Sequence, residues 1–179
     1  GEESYGFLAE DFCRDKDSVS AISLMAEICA WAKDRGMDFN EMLQDIYVSN
    51  GFSHEEGVSV VREGKKGADE IVQMMKDFRA NPPKSLGGSP VVTVKDYADL
   101  NETDLTTGKV TKMDFPTTSN VLQFFTADHS KISIRPSGTE PKIKFYMEVH
   151  DKLAGKDDYA RANADAAAKI AAIKKDLGI

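Results

Sequence analysis

The sequence predicts an α+β protein: a helical first part, then an antiparallel sheet with helices on one face. Three observations carry this. Apolar residues recur at helical spacing over 18–35, 38–50 and 158–177. Residues 142–149 alternate strictly, with Ile143, Phe145, Met147 and Val149 on one face and Lys142, Lys144, Tyr146 and Glu148 on the other. That is the pattern of a half-buried antiparallel strand. Gly51 and Gly57 bracket a stretch that reads as a hinge, which divides the chain into residues 1–50 and 53–179.

Taken in order, the first helix runs over 18–35, with Asp17 placed to cap it and Gly36 where a terminating glycine belongs. Ile22, Leu24, Met25, Ile28, Cys29 and Trp31 wrap most of its circumference, which predicts extensive burial. Asp38 followed by Glu41 is a capping box for a second helix, whose apolar face is Phe39, Met42, Leu43, Ile46 and Tyr47. Residues 58–61 read as a short strand and 68–80 as a helix that Pro82-Pro83 stops. A loop at 85–89 leads to a strand over 90–97, and 98–116 reads as polar connection. Two strands follow, 121–127 and 130–135, joined at Asp128-His129. The last helix, 158–177, carries Tyr159, Ala162, Ala166, Ile170, Ile173 and Leu177 on its inner stripe.

Composition excludes several classes. In 179 residues, 41% are apolar and 30% charged, with a formal net charge of −7. That balance argues against a nucleic-acid binder, which needs clustered Lys and Arg. No apolar run approaches the ~20 residues of a membrane helix. There is no signal-peptide pattern, and two cysteines, Cys13 and Cys29, on segments expected to be buried make no disulfide framework, so a cytoplasmic protein is expected. The chain opens GEES without a Met, as a piece of something longer would, with Gly1 either native or left by a tag.

One loop stands out chemically. Arg135-Pro-Ser137-Gly138-Thr139-Glu-Pro141 joins two strands. Its Arg offers a planar fork of donors matched to phosphate oxygens. The hydroxyls of Ser137 and Thr139 are short neutral donors, and Gly138 lets the backbone turn its N–H groups inward as an anion nest. Pro136 and Pro141 stiffen both ends. Between 131 and 146 four basic residues stand against one acidic, a local +3 in a chain of −7. The alternative is a tight surface turn with a solvated arginine. Glu2, Glu3 and Ser4 form a second polar cluster, suited to sugar hydroxyls or simply a solvated chain end. Lys16 lies beside the first helix cap, where it can meet a phosphate, serve proton transfer, or stand in solvent. His54, His129 and His150 have no metal-ligand spacing to each other or to the cysteines. Asp99, Glu102 and Asp104 read as solvated acids.

RPSGTEP followed at once by a strand resembles the phosphate-binding signature in the last domain of the α-D-phosphohexomutase superfamily. GEESYG resembles the sugar-recognition loop of that family's third domain, RDKD the segment after it, and DLTTG (104–108) the branch with the phosphopentomutase-like phosphoglucomutases. The resemblance implies residues 1–50 as the end of the third domain and 53–179 as the fourth, a sheet similar to that of TATA-box-binding proteins. It implies that Arg135, Ser137, Gly138 and Thr139 bind the substrate's non-reacting phosphate and that Glu2 and Ser4 bind the sugar. Phe7 stands where many members have a histidine, which leaves Lys16 as the catalytic, proton-transferring candidate. The implied reaction interconverts hexose 1-phosphate and hexose 6-phosphate through a phosphoserine and a bisphosphorylated sugar. It needs Mg²⁺, whose ligands this chain lacks, a glucose 1,6-bisphosphate-type activator, and N-terminal domains of the same protein. A phosphopentomutase of the same superfamily, a non-catalytic phospho-ligand module and a nucleic-acid-binding sheet domain are the other readings. The charge disfavours the last.

Overall fold

The structure, a computed structural model, describes Leu8, Glu10 and residues 17–179. It divides into two compact units, Gly1–Asn50 and Gly51–Ile179.

The first unit holds α1 (Ser18–Asp34) and α2 (Phe39–Asn50). The Asp17 carboxylate accepts the Ser20 N–H at 2.9 Å and the Val19 N–H at 3.0 Å. Those backbone donors, Ser20 first, hold its pKa below the ordinary carboxylate value. At the other end Gly36 adopts φ +70°, its N–H donates to the Lys33 carbonyl, and the Met37 N–H donates to that of Ala32. This is a Schellman ending, which wants glycine at the left-handed position. The capping box of α2 closes in both directions: Glu41 N–H to Asp38 Oδ1 at 2.7 Å, and Asp38 N–H to Glu41 Oε2 at 2.9 Å. The expected burial of α1 is corrected. Within α1 only Ala32 is buried, Val19 and Ile22 are 71% and 70% exposed, and Cys29 is exposed. Among the described residues α2 packs against α1, and one helix covers only a stripe of a surface that is apolar nearly all round. Cys13 lies outside the described residues.

The second unit is built in the order β1 (Phe52–Val61), α3 (Gly64–Ala80), β2 (Ser85–Leu86), β3 (Ser89–Asp96), β4 (Asn101–Asp104), β5 (Val110–Lys112), β6 (Leu122–Thr126), β7 (Lys131–Pro136), β8 (Lys142–Asp151) and α4 (Tyr159–Leu177). A 3₁₀ turn at Lys156–Asp158 leads into α4. The sheet order is β1-β8-β7-β6-β3-β4-β5, with β2 pairing β3, and the pairs are antiparallel. This is the expected α+β class.

Its core lies on one face. Leu122, Phe124, Ile132, Ile134, Ile143, Phe145 and Met147 are buried there against Ile71 and Met75 of α3 and Ile170 and Ile173 of α4. The Phe78 ring of α3 meets Phe124 and Phe145 edge-on at 6.1 and 6.4 Å. Ala162 and Ala166 give α4 a small-residue face that is fully buried. Each large apolar side chain removed from water contributes about 1.5–3 kcal/mol. No helix among the described residues is long and apolar enough to cross a membrane.

Three elements differ from expectation. Residues 52–57 are no hinge: β1 begins at Phe52 and pairs without interruption with β8, Phe52 opposite Asp151 through Val61 opposite Lys142. Phe52 is buried against the Tyr159 ring, and Gly57 stands opposite Tyr146. The polar connection over 98–116 contains the β4–β5 hairpin. Its turn is held by Asp104, whose carboxylate accepts from the Thr106 and Thr107 hydroxyls and amides, Thr106 foremost, and is drawn down to about 2. The loop at 85–89 is a tight hairpin, with Gly87 and Gly88 at φ +57° and +78° as such a turn requires.

Candidate functional site

Alternation along β7 sends Ile132 and Ile134 into the core and leaves Ser133 and Arg135 on the opposite face. Along β8 it does the same with Ile143 and Phe145 against Lys142, Lys144 and Tyr146. The register then places Arg135 directly across from Lys144 and Pro136 across from Ile143. Arg135 is exposed, and among the described residues it has no hydrogen-bond or ion-pair partner. The Lys144 ammonium lies 5.8 Å from the centroid of the Tyr146 ring.

The loop between these strands is tied at both ends. The Ser137 N–H donates to the Lys142 carbonyl at 2.8 Å, and the Arg62 N–H, just beyond β1, donates to the Pro141 carbonyl at 2.9 Å. Between the ties the Ser137 hydroxyl oxygen accepts the N–H groups of Thr139 and Glu140 at 3.4 and 3.3 Å, the long end of the hydrogen-bond range. The φ of Gly138 is outside the left-handed region and a β-carbon there would meet open space, so the turn itself does not require glycine. The amides of Thr139 and Glu140 point at Ser137 Oγ rather than forming a preset nest.

The one acid of the loop is already matched. Glu140 pairs with Lys142, and that hydrogen bond and charge, with a smaller part from Lys144, lower its carboxyl below the ordinary range. Arg135 stands at the mouth with the hydroxyls of Ser137 and Thr139, and Lys144, which has interactions of its own, lies across from it. Such a group can bind a tetrahedral dianion by charge-assisted hydrogen bonds. Of the residues singled out from the sequence, Arg135, Ser137, Gly138 and Thr139 come together here. Glu2, Glu3, Ser4 and Lys16 lie outside the described residues. Lys144 was visible in the sequence only as local charge. Its place beside Arg135 follows from register, which the strict alternation of 142–149 and the neighbouring strand 130–135 together could have given.

His54 Nδ1 meets Asn163 Oδ1 at 2.9 Å, His150 lies 3.0 Å from Glu148, and His129 occupies a turn at φ +67°. Among the described residues no group of three or more His, Cys, Asp or Glu is arranged to hold a metal ion.

Comparison with known proteins gives the following. Residues 55–166 match the family of phosphoglucomutase/phosphomannomutase C-terminal domains. A phosphoglucomutase of Staphylococcus aureus (strain MRSA252) is 36% identical over 160 residues, 89% of this chain and 28% of that protein. One from Staphylococcus epidermidis (strain RP62A) is 35% identical over 148 residues, 83% of this chain and 27% of its own. A solved structure of the exocytosis-sensitive phosphoprotein pp63/parafusin, a phosphoglucomutase from Paramecium, in its open form, is 20% identical with a TM-score of 0.49, covering 94% of this chain and 29% of that one. The chain thus spans little more than a quarter of the length of the curated relatives it matches.

Proposed function

Since the chain belongs to the phosphoglucomutase/phosphomannomutase family by its C-terminal domain, we propose that it is the C-terminal part of an enzyme interconverting hexose 1-phosphate and hexose 6-phosphate. Residues 1–50 are then the end of the third, sugar-binding domain and 53–179 the fourth, phosphate-binding one. In this reading a phosphoserine elsewhere in the protein gives its phosphoryl group to the substrate. The bisphosphorylated sugar turns over, and the other phosphate returns to the serine. Mg²⁺ and a glucose 1,6-bisphosphate-type activator belong to the same reaction, with the metal's ligands outside this chain. The chain alone is inactive.

The observation that carries the reading is the placement of Arg135 opposite Lys144 at the mouth of the 137–141 loop. A dianion bound beside both cations is attracted by each of them. The guanidinium supplies a two-pronged grip, Lys144 a second charge, and the Ser137 and Thr139 hydroxyls two neutral donors. The long bonds to Ser137 Oγ leave the amides of Thr139 and Glu140 able to turn to a phosphate oxygen. Because Glu140 is engaged by Lys142, it does not oppose the ligand. The role of this group is to hold the distal phosphate without chemistry in both orientations of the sugar, so catalysis here is positioning. Glu2 and Ser4 would hold the sugar hydroxyls, and Lys16 would move a proton.

The test is an amide-resolved NMR titration of the chain with glucose 1-phosphate, with glucose 6-phosphate and with a DNA duplex. Both sugar phosphates should shift amides in 135–144 and the duplex should not. Silence of those amides toward both sugar phosphates overturns the reading, and a response to the duplex alone favours a nucleic-acid-binding sheet.

A further inference from the structure

We infer that Gly67, in the first turns of α3, is a positioning residue for the 137–141 loop, acting through the backbone of Arg62. The inference rests on the phosphate-binding reading of that loop. The β1–β8 ladder ends with Val61 opposite Lys142. One rung further, the Arg62 N–H donates to the Pro141 carbonyl at 2.9 Å, so the exit of the loop hangs on that N–H. The other face of that residue is filled by α3. Gly67 is buried, and a β-carbon on it would lie 2.3 Å from the Arg62 carbonyl oxygen and 2.4 Å from its carbonyl carbon. Those are backbone atoms, which cannot swing aside as a side-chain tip would. The Arg62 side chain is held over the same turn by Glu70, 3.7 Å away.

The φ of Gly67 is outside the left-handed region. Conformation alone therefore does not call for glycine, and helix propensity favours alanine. What calls for glycine is the close approach of α3 to Arg62. Any side chain at 67 must displace the Arg62 carbonyl group, and the N–H on the other side of the same Cα shifts with it, drawing Pro141 out of place or letting it go. Because the entry of the loop is fixed separately by the bond from Ser137 to Lys142, such a shift changes the spacing between the Ser137–Thr139 donors and the Arg135–Lys144 pair. Gly67 thus sets loop geometry with no contact to the ligand.

The experiment uses the 179-residue chain and glucose 6-phosphate, read by amide NMR, with melting temperatures measured in parallel. Three chains are compared: unsubstituted, Gly67→Ala, and Ala80→Gly, the last weakening α3 at its far end. Gly67→Ala should weaken binding by roughly three- to tenfold, the effect of one disturbed hydrogen bond, whatever its melting temperature. Ala80→Gly should melt lower and bind normally. Equal binding by Gly67→Ala and the unsubstituted chain overturns the inference alone, as does weakening by Ala80→Gly to the same degree. Failure of the unsubstituted chain to bind overturns the loop reading itself. A further measurement needs no variant: saturating ligand should slow hydrogen exchange at the Arg62 amide together with the loop amides. An Arg62 amide indifferent to ligand, in a chain whose loop responds, also overturns the inference.

Discussion

Arg135 and Lys144 occupy one cross-strand register of β7 and β8, two cations on the face opposite the buried apolar side chains. Lys144→Glu would set an acid beside Arg135 where a phosphate is to bind. The same change should abolish binding of glucose 6-phosphate. NMR titration reads the effect, with thermal melting to show that the variant is folded, and a folded variant that still binds would mean that Lys144 has no part in the site.

In a protein carrying the preceding domains, Arg135→Ala should lower kcat/KM roughly ten- to a hundredfold or more, because hydrogen bonds to charged groups are worth ~1.5–3 kcal/mol each. Arg135→Lys should fall between, keeping the charge and losing the fork. Melting temperature should barely move, since Arg135 is exposed and anchors nothing else among the described residues. Loss of activity that merely tracks unfolding would make the residue structural.

The β6–β7 turn gives a pH signature. Burial raises the Asp128 carboxyl, but Lys169, Thr126 and Ser130 outweigh it and hold the pKa well below the ordinary range. A depressed carboxyl contributes stability that is present above its unfolded pKa of about 4 and lost as pH falls toward the folded one. Asp128→Asn should thus cost on the order of 1 kcal/mol at pH 7, discounted for its partial exposure, and the cost should shrink on acidification below about pH 4. Urea titrations at pH 7 and pH 3 measure it, and an unchanged difference would remove Asp128 from the acid response.

Ala166 is buried where α4 lies on the sheet side of the unit. Ala166→Leu should lift that helix and cost about 1–3 kcal/mol, although Leu is nearly as good a helix former. A shift in denaturation midpoint with an unchanged m-value is the expected record. Stability equal to that of the parent would place a void there.

Features governed by residues close in sequence were legible. The caps at Asp17 and Asp38-Glu41, the glycine stop at 36 and the alternation of β8 each depend on neighbours a few residues apart. The loop was legible as chemistry because Arg, Ser, Gly and Thr fall within five residues. What was missed depends on distant partners. Gly57 reads as a break until Tyr146 is seen opposite it. Gly64 and Gly67 hide the start of α3 because helix propensity cannot know that Arg62 needs the space. The β4–β5 hairpin is too short and polar for periodicity to register. For α1, periodicity reports which residues are apolar and not what covers them.

Because β8 is paired along its whole length to β1, and to β7 from Ile143 to Glu148, its residue count is not free to vary. Inserting one residue after Lys142 would exchange the two faces of everything beyond it in the strand, driving Lys144 toward the core and turning Phe145 to water. The 138–140 segment belongs to neither ladder and carries no such parity. An engineer wishing to splice a reporter peptide into this unit, or to read its length variants, therefore has a site where odd insertions are tolerated and, a few residues on, one where none are.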